Sequence, residues 1–276
     1  MSVLINRRGP VPLIQSSLLS AEPGLVHGFT SREGGVSQGY LSTLNLSFTR
    51  GDKEENVREN FRRLGETIGF GPERFVLTDQ THTRNVRLVT KEDAGKGLTR
   101  PRDYRDVDGL VTNQPGLVLS VFVADCQPVL LYDPKHRAVA AIHSGWRGTV
   151  GRISGRALQM MKEHFTTDPA DVIAVVGPSI CPNCYEVSED VAEAFRQEFS
   201  LSKSNQILTP GRLAEDGKHY QLNLWEAVRV TLLDLGCRDC NIDILGLCTK
   251  EHADKLFSHR ASGGKRGNMA GVIALL

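Results

Sequence analysis

The 276-residue sequence has no apolar run approaching the roughly 20 residues that a membrane-spanning helix needs, so no span is expected. It has almost no net charge. Thirty-three Lys and Arg against 32 Asp and Glu leave +1, and no broad electrostatic field points to nucleic acid or to a membrane surface. Residues 1–10 contain Arg7 and Arg8 but lack the apolar core and small-residue cleavage site of a secretory signal, so a cytoplasmic location is the expectation. Internal repeats and low-complexity linkers are also missing. With 40% hydrophobic and 24% charged residues the composition is that of an ordinary globular protein. A chain of this length buries roughly three quarters of the surface that it exposes when unfolded.

What the sequence does contain is a succession of apolar runs divided by turn residues. Leu25–Thr30 reads as a short strand feeding the glycine-rich loop S-R-E-G-G-V-S at 31–37. Asp52 reads as a helix N-cap, and Val57, Phe61, Leu64 and Ile68 recur at helical spacing, which predicts a helix over about 52–69. Runs of β-branched and apolar residues predict strands at 85–90, 107–112, 117–123, 129–132 and 138–142. A helix is expected at about 149–165, a buried strand at 171–176, helices at 187–198 and 224–235, and strands at 242–247 and 271–275. The polar stretch 203–219 reads as a loop. This mixture predicts one α/β domain over residues 1–276, with mixed sheets instead of a regular β-α alternation.

Three segments carry candidate chemistry: Q-T-H-T at 80–83, A-D-C-Q-P at 124–128 and H-S-G-W-R-G-T at 143–149. Cys126 and His143 each follow a buried run, so each is expected just past a strand end, where rigid backbone opens onto a cleft. A thiolate and two imidazoles suit Zn²⁺ and leave its fourth position open. The set His82, Cys126 and His143 would keep a formal charge of +1 on the cluster, which acidifies a bound water. The same three residues also read as a loop histidine, a buried thiol and a strand-end hydrogen bonder. Asp108 and Asp125 stand at strand ends, where either could orient a metal-bound histidine or act as general base. Each also reads as a turn aspartate.

The glycines after His143 lead into a predicted helix, and Arg147 beside a helix N-terminus makes a candidate anion site. A capping loop with a solvated arginine is the plain alternative. Trp146 could stack on a base or fill the core. The loop with Arg32, Gly34, Gly35 and Ser37 could approach a ligand closely or form a simple turn. C-P-N-C (Cys181, Cys184) and C-R-D-C (Cys237, Cys240) suggest a structural Cys₄ zinc site, although the gap between them is longer than in zinc ribbons. They otherwise read as free thiols in a reducing compartment, or as a disulfide formed on oxidation.

Together these segments resemble the zinc-dependent purine nucleoside phosphorylase family, formerly labelled multicopper polyphenol oxidase or laccase-domain proteins. The matching motifs include H-G-F-T-S-R-E-G-G-V-S from His27, L-N-L from Leu44, and G-D with V-R-E-N between Gly51 and Asn60. Q-T-H, D-G-L-V-T from Asp108, A-D-C-Q-P, H-S-G-W-R-G-T, G-P-S-I, C-Y-E-V, C-T at Cys248 and F-S-H-R from Phe257 follow in order. The resemblance implies a layered α-β-β-α sandwich with mixed β-sheets and a metal site at His82, Cys126 and His143. It implies phosphorolysis of adenosine, inosine and methylthioadenosine, with deamination of adenosine. It also implies a nucleoside and phosphate pocket lined by Arg32, Ser37, Asn45, Arg58 and Arg260. Purine nucleosides and phosphate are the partners it predicts, for a monomer or homodimer. The sequence departs from the family's Gly-Arg-Met near the C-terminus, reading Gly267, Asn268 and Met269 with Arg266 displaced by two positions. His82 is flanked by Thr81 and Thr83 where Val and Gly are typical.

Two rival activities follow from the same residues. A copper-dependent polyphenol oxidase would need His-x-His pairs, and the eight histidines (His27, His82, His136, His143, His164, His219, His252 and His259) include none. Copper can still occupy such a site in vitro, because affinity favours it. A cysteine hydrolase would use Cys126 as nucleophile and His143 as base.

Overall fold

The computed structural model describes residues 3–214 and 217–276. Among these residues the strands, in chain order, are β1 (Val3–Asn6), β2 (Leu13–Ser16), β3 (Leu25–Thr30), β4 (Phe75–Leu77), β5 (Val86–Leu88), β6 (Gly109–Thr112), β7 (Val118–Val123) and β8 (Gln127–Asp133). They continue with β9 (Ala138–Ser144), β10 (Ile173–Val176), β11 (Glu186–Ser188), β12 (Leu208–Ala214), β13 (Gly217–Leu222), β14 (Ile242–Ile244) and β15 (Met269–Leu275). The helices are α1 (Ser17–Ser20), α2 (Glu54–Ile68), α3 (Trp146–Val150), α4 (Ile153–Phe165), α5 (Glu189–Glu198), α6 (Leu201–Ile207), α7 (Leu224–Asp234) and α8 (His259–Ser262).

Two six-stranded mixed sheets carry the fold, ordered β1-β2-β3-β15-β7-β4 and β14-β10-β8-β9-β6-β5. The two-residue period of the strands assigns the layers. In β15, Met269, Ile273 and Leu275 pack between the sheets, while Ala270, Val272 and Ala274 face Val57, Phe61 and Leu64 of α2. In β8, Leu130 and Tyr132 point to the central layer, while Val129 and Leu131 meet Ile153, Leu158 and Met161 of α4 and Val228 and Leu232 of α7. The result is the expected α-β-β-α sandwich. Both faces of each central strand are covered, so these runs are continuously apolar instead of alternating with polar residues.

A three-stranded antiparallel sheet, β11-β13-β12, lies outside this core and packs on α5, α6 and α7. Helix α6 and this sheet's hairpin together correct the reading of 203–219 as a loop. His219, Tyr220 and Gln221 are polar in sequence yet pair in register with β11, because only one face of this small sheet is covered. Three other expectations are corrected. Helix α2 starts after Lys53, and Asp52 does not cap it. Its carboxylate accepts from Ser37 Oγ, Asn45 Nδ2 and Asn56 Nδ2 instead. The helix expected at 149–165 is two helices, broken where Arg152 takes a left-handed φ of 52°. The helix expected at 187–198 begins at Glu189, its first residues being strand β11. Strands β1, β2 and β4 are too short to show a period in sequence.

The glycine-rich loop is tied down by a buried amide. Asn60 on α2 accepts from Val36 N–H at 2.9 Å and donates to Ser37 Oγ and to the Asn45 carbonyl, each at 2.8 Å. A Cβ on Gly35 would lie 2.1 Å from the Thr43 carbonyl oxygen. The glycine therefore serves close backbone packing here.

His27 on β3 is 2% exposed and accepts a hydrogen bond from Ser16 N–H at its Nε2. Burial pushes its pKa down to about 4, against a smaller opposing effect of that hydrogen bond. The unfolded chain therefore binds a proton below about pH 6.5 that the fold refuses. Stability from this residue is complete above about pH 6.5 and falls as pH drops toward 4, by about 3 kcal/mol in all. Urea unfolding of His27→Gln at pH 7 and pH 5 is expected to show a shallower loss than the parent. Equal losses would mean that His27 is not the proton acceptor.

Candidate metal centre and its cleft

The site lies where the chain crosses between the two large sheets. Residues 124–126 join β7 of one sheet to β8 of the other, and the segment after β4 crosses in the same sense to reach β5. His143 sits near the end of β9, opposite Pro128 of β8. These two crossovers and one strand end bring together side chains far apart in sequence. The ligand atoms of His82, Cys126 and His143 all lie within 4.8 Å of one another. Cys126 Sγ is 3.8 Å from His82 Nε2, and the two imidazole centroids are 4.9 Å apart at 79°.

Asp108, fully buried just before β6, organises this cluster. Its Oδ1 lies 2.7 Å from His143 Nδ1, which leaves Nε2 of that ring for a metal. The same carboxylate accepts the backbone N–H groups of Thr81 at 3.2 Å, His82 at 3.1 Å and Thr83 at 2.8 Å, and also the Thr83 hydroxyl at 2.8 Å. These bonds hold His82 in a left-handed backbone conformation, φ 65°. Gln80 completes the anchoring: its amide exchanges two 2.6 Å hydrogen bonds with the backbone of Phe122 and so clips the loop to β7. Gly145 leaves room for the ligands, because a Cβ there would stand 2.9 Å from His82 Cδ2 and 3.1 Å from Cys126 Sγ.

The electrostatics favour a thiolate. Burial alone would raise the Cys126 thiol, but the charge and hydrogen bonding of His143 and His82 outweigh it and lower its pKa. Burial would likewise penalise Asp108 as an anion, and its hydrogen bonds to His143 and Thr83 hold it below the ordinary carboxylate range. A tetrahedral zinc bound to sulfur at about 2.3 Å and nitrogen at about 2.1 Å spaces those two atoms roughly 3.6 Å apart, close to the separation found. The donor set, its spacing and the carboxylate behind His143 all fit a divalent metal with one open position.

A cleft of about 220 Å³ opens over the three ligands, lined also by Phe48, Phe122, Gln80 and Asn268. Arg50, Arg102 and Arg266 project into it. Arg102 is paired with Asp79 at 2.9 Å. Arg50 and Arg266 have no carboxylate partner among the described residues, and the Nε of each is buried without a hydrogen bond. Burial, then the neighbouring Arg50 charge, lowers the Arg266 pKa to about 10.

Sequence reasoning missed Arg50 and the cleft position of Arg266. The signals were Arg50 beside the G-D motif and the displaced arginine near Gly267. The other residues named from sequence are distributed differently. Asn45 is fully buried and accepts the Asn268 N–H, so it braces the cleft wall. Ser37 is buried in the Asp52 and Asn60 network. Arg32 stacks on Phe257 and donates to the Ser42 and Ala253 carbonyls. Arg58 pairs with Glu54 on the outside of α2. Arg147 is exposed and stacks on Trp146, which packs against the core of the small sheet. Arg260 gives its N–H to Asp125 Oδ2 and its guanidinium to the Glu186 carbonyl. Asp125 turns away from the cleft, with Thr249 Oγ1 donating to its other oxygen at 2.6 Å. The suggested Cys₄ set does not assemble: Cys237 is buried against α4 and α7, and Cys240 is exposed.

A family model described as multi-copper polyphenol oxidoreductase laccase matches residues 26–276. The chain belongs to this family. It is 38% identical over 259 residues to a purine nucleoside phosphorylase of Bacteroides thetaiotaomicron, covering 93% of this chain and 94% of the relative. It is 35% identical to the purine nucleoside phosphorylase YlmD of Bacillus subtilis, over 91% of this chain and 88% of that one. Among solved structures, the hypothetical protein YfiH of Bacillus licheniformis superposes with a TM-score of 0.90 at 30% identity, over 99% of both chains. YlmD of Geobacillus stearothermophilus gives 0.86 at 31% identity, over 99% of this chain and 98% of that one. The family and the layered fold expected from the motifs are therefore found. No helix among the described residues is long and apolar enough to cross a membrane.

Asp108→Asn should preserve part of the hydrogen bonding but lose the charge that orients His143. A fall of about 10- to 100-fold in metal affinity is expected, read by competition with a chromogenic chelator. Unchanged affinity would show that Asp108 does not position the ligand.

Proposed function

We propose that this protein is a single-domain, zinc-dependent purine nucleoside phosphorylase. In this reading it converts adenosine, inosine or methylthioadenosine and phosphate to the free base and the corresponding ribose 1-phosphate, with adenosine deamination as an accompanying activity. The observation that carries the proposal is the pair of part-buried guanidinium groups of Arg50 and Arg266, without a carboxylate partner among the described residues, in the same cleft as the three candidate ligands. The Arg50 charge opposes that of Arg266, so a dianion between them would relieve a repulsion. The names of the relatives agree with this reading.

Phosphate gripped by Arg50 and Arg266 is the nucleophile, attacking C1′ of the ribose as the glycosidic bond loosens. The sugar gains positive charge and the departing purine negative charge, so the fixed cations both position the nucleophile and favour charge separation. Zinc at His82, Cys126 and His143, when bound, supplies a Lewis acid for a substrate oxygen. Phe48, stacked on Phe61 and approached by the Arg58 guanidinium, lines the cleft and offers an apolar wall for the purine. Asp108 accepts five hydrogen bonds and Asp125 two. Both therefore act as positioning residues, which leaves the proton required for deamination to another group.

The cysteine-hydrolase alternative draws on the Cys126, His143 and Asp108 alignment. A dyad needs one imidazole on the sulfur, and the second, His82, fits metal binding instead. For copper oxidation, two groups of candidate ligands occur among the described residues and only one contains histidine, which is too few for a trinuclear cluster.

Incubation with adenosine and phosphate, followed by chromatography, is expected to yield adenine and ribose 1-phosphate, with turnover lost on chelation and restored by zinc. Arg50→Ala or Arg266→Ala should lower kcat/KM for phosphate by about 10- to 100-fold, the loss of a charge-assisted hydrogen bond worth about 1.5–3 kcal/mol. Phosphate-independent activity that survives chelation and dies on thiol alkylation would select the hydrolase. Oxygen uptake with a phenol would select the oxidase.

A further inference from the structure

A second cluster of soft ligands lies away from the cleft. Cys181, Cys184, Cys248 and Glu251 place three sulfurs and a carboxylate oxygen all within 4.8 Å of one another. Two chain segments supply them, and both use the same spacing: Cys181-x₂-Cys184 and Cys248-x₂-Glu251. A pair of such two-residue-spaced turns is how structural zinc sites are built, since each turn directs two ligands at one point. The first turn is already closed, with Cys184 N–H on the Cys181 carbonyl at 3.1 Å. In the second, His252 N–H bonds the Cys248 carbonyl at 3.0 Å.

The spacing fits one tetrahedral ion. Glu251 Oε1 is 3.5 Å from Cys181 Sγ and 3.7 Å from Cys184 Sγ. Zinc–sulfur bonds of about 2.3 Å and a zinc–oxygen bond of about 2.1 Å at a tetrahedral angle set that separation at roughly 3.6 Å. The Cys181 N–H points at Cys248 Sγ at 3.4 Å, the backbone donor that steadies a metal-bound thiolate. Cys181 and Cys248 are buried, and Glu251 closes the set at the surface.

We propose that Cys181, Cys184, Cys248 and Glu251 form a second, closed zinc site that cross-links the segment after β10 to the segment after β14. The proposal does not depend on the phosphorylase reading. Its ligands are sulfur-rich and four in number, so the ion has no open position and the site is structural. The cross-link also bears on the cleft. Ile180, next to Cys181, donates its N–H to the Asp125 carbonyl, and Thr249, next to Cys248, donates its hydroxyl to the Asp125 carboxylate. Asp125 immediately precedes Cys126, so the second ion fixes the backbone that presents the sulfur of the first.

The test is zinc content by mass spectrometry of the full chain purified under reducing conditions without chelators. Two zinc per chain are expected for the parent, one for His82→Ala, one for Cys184→Ser and none for the double variant. If Cys184→Ser fails to fold, the intact cysteine set is read in His82→Ala loaded with cobalt, whose sulfur-to-cobalt charge-transfer absorption should report several thiolates. One zinc in the parent and no such absorption in His82→Ala would overturn the proposal. So would a Cys181–Cys184 disulfide in the purified protein. Two zinc without phosphorolysis would reject the proposed function and leave this site standing.

Discussion

The centre depends on a buried carboxylate that binds two things at once. Asp108 holds the imidazole of His143 through Nδ1 and, with the same two oxygens, gathers three consecutive N–H groups of the loop that carries His82. One ligand is thereby oriented and a second is brought to it. An anion in this position is costly unless every lone pair is used, and here five donors satisfy it. The carboxylate also holds the Nδ1–H of His143 toward itself, which leaves Nε2 facing the sulfur. Around this anchor, Gln80 clips the loop to β7 and Gly145 leaves the space that the ligands fill.

Charge balance accounts for the rest of the cleft. With a divalent ion bound, its charge and those of a Cys126 thiolate and the Asp108 carboxylate would sum to zero, and Asp79 neutralises Arg102. Among the described residues Arg50 and Arg266 have no carboxylate ion-pair partner, and each keeps a buried Nε without a hydrogen bond. A protein could remove this tension with one nearby carboxylate. Perturbed charged groups clustered in a cleft are a mark of candidate functional sites.

Legibility in the sequence followed the range of the interactions involved. The strands β3, β7, β8, β9 and β15 and the helices α2 and α7 were readable because each is long enough to display a period or a continuous apolar run. The hairpin β12–β13 was not, since its cross-strand pairs are non-local and its exposed face is polar. Asp52 resembled an N-cap by type and place, yet a buried network with Ser37, Asn45 and Asn56 claimed its oxygens. The ligand set was suggested by residue type and strand-end position, but Arg58 and Arg147, chosen by motif or by helix-end logic, lie outside the cleft. The two C-x-x-C units were paired with each other because sequence shows spacing only. In the fold, the second pair belongs to another face.

By itself, the sequence determined which segments are apolar enough to be buried, where the glycines permit close approach, and that soft ligands stand beside strand ends. Those are local properties, set by side-chain type and by spacing over a few residues. Only the tertiary structure decided which side chains meet, which arginines lack a carboxylate partner among the described residues, and that Cys248 and Glu251 lie beside the Cys181–Cys184 turn. Those outcomes depend on the crossovers between two sheets and on the register of strands far apart in the chain, and a one-dimensional pattern carries no information about either distance.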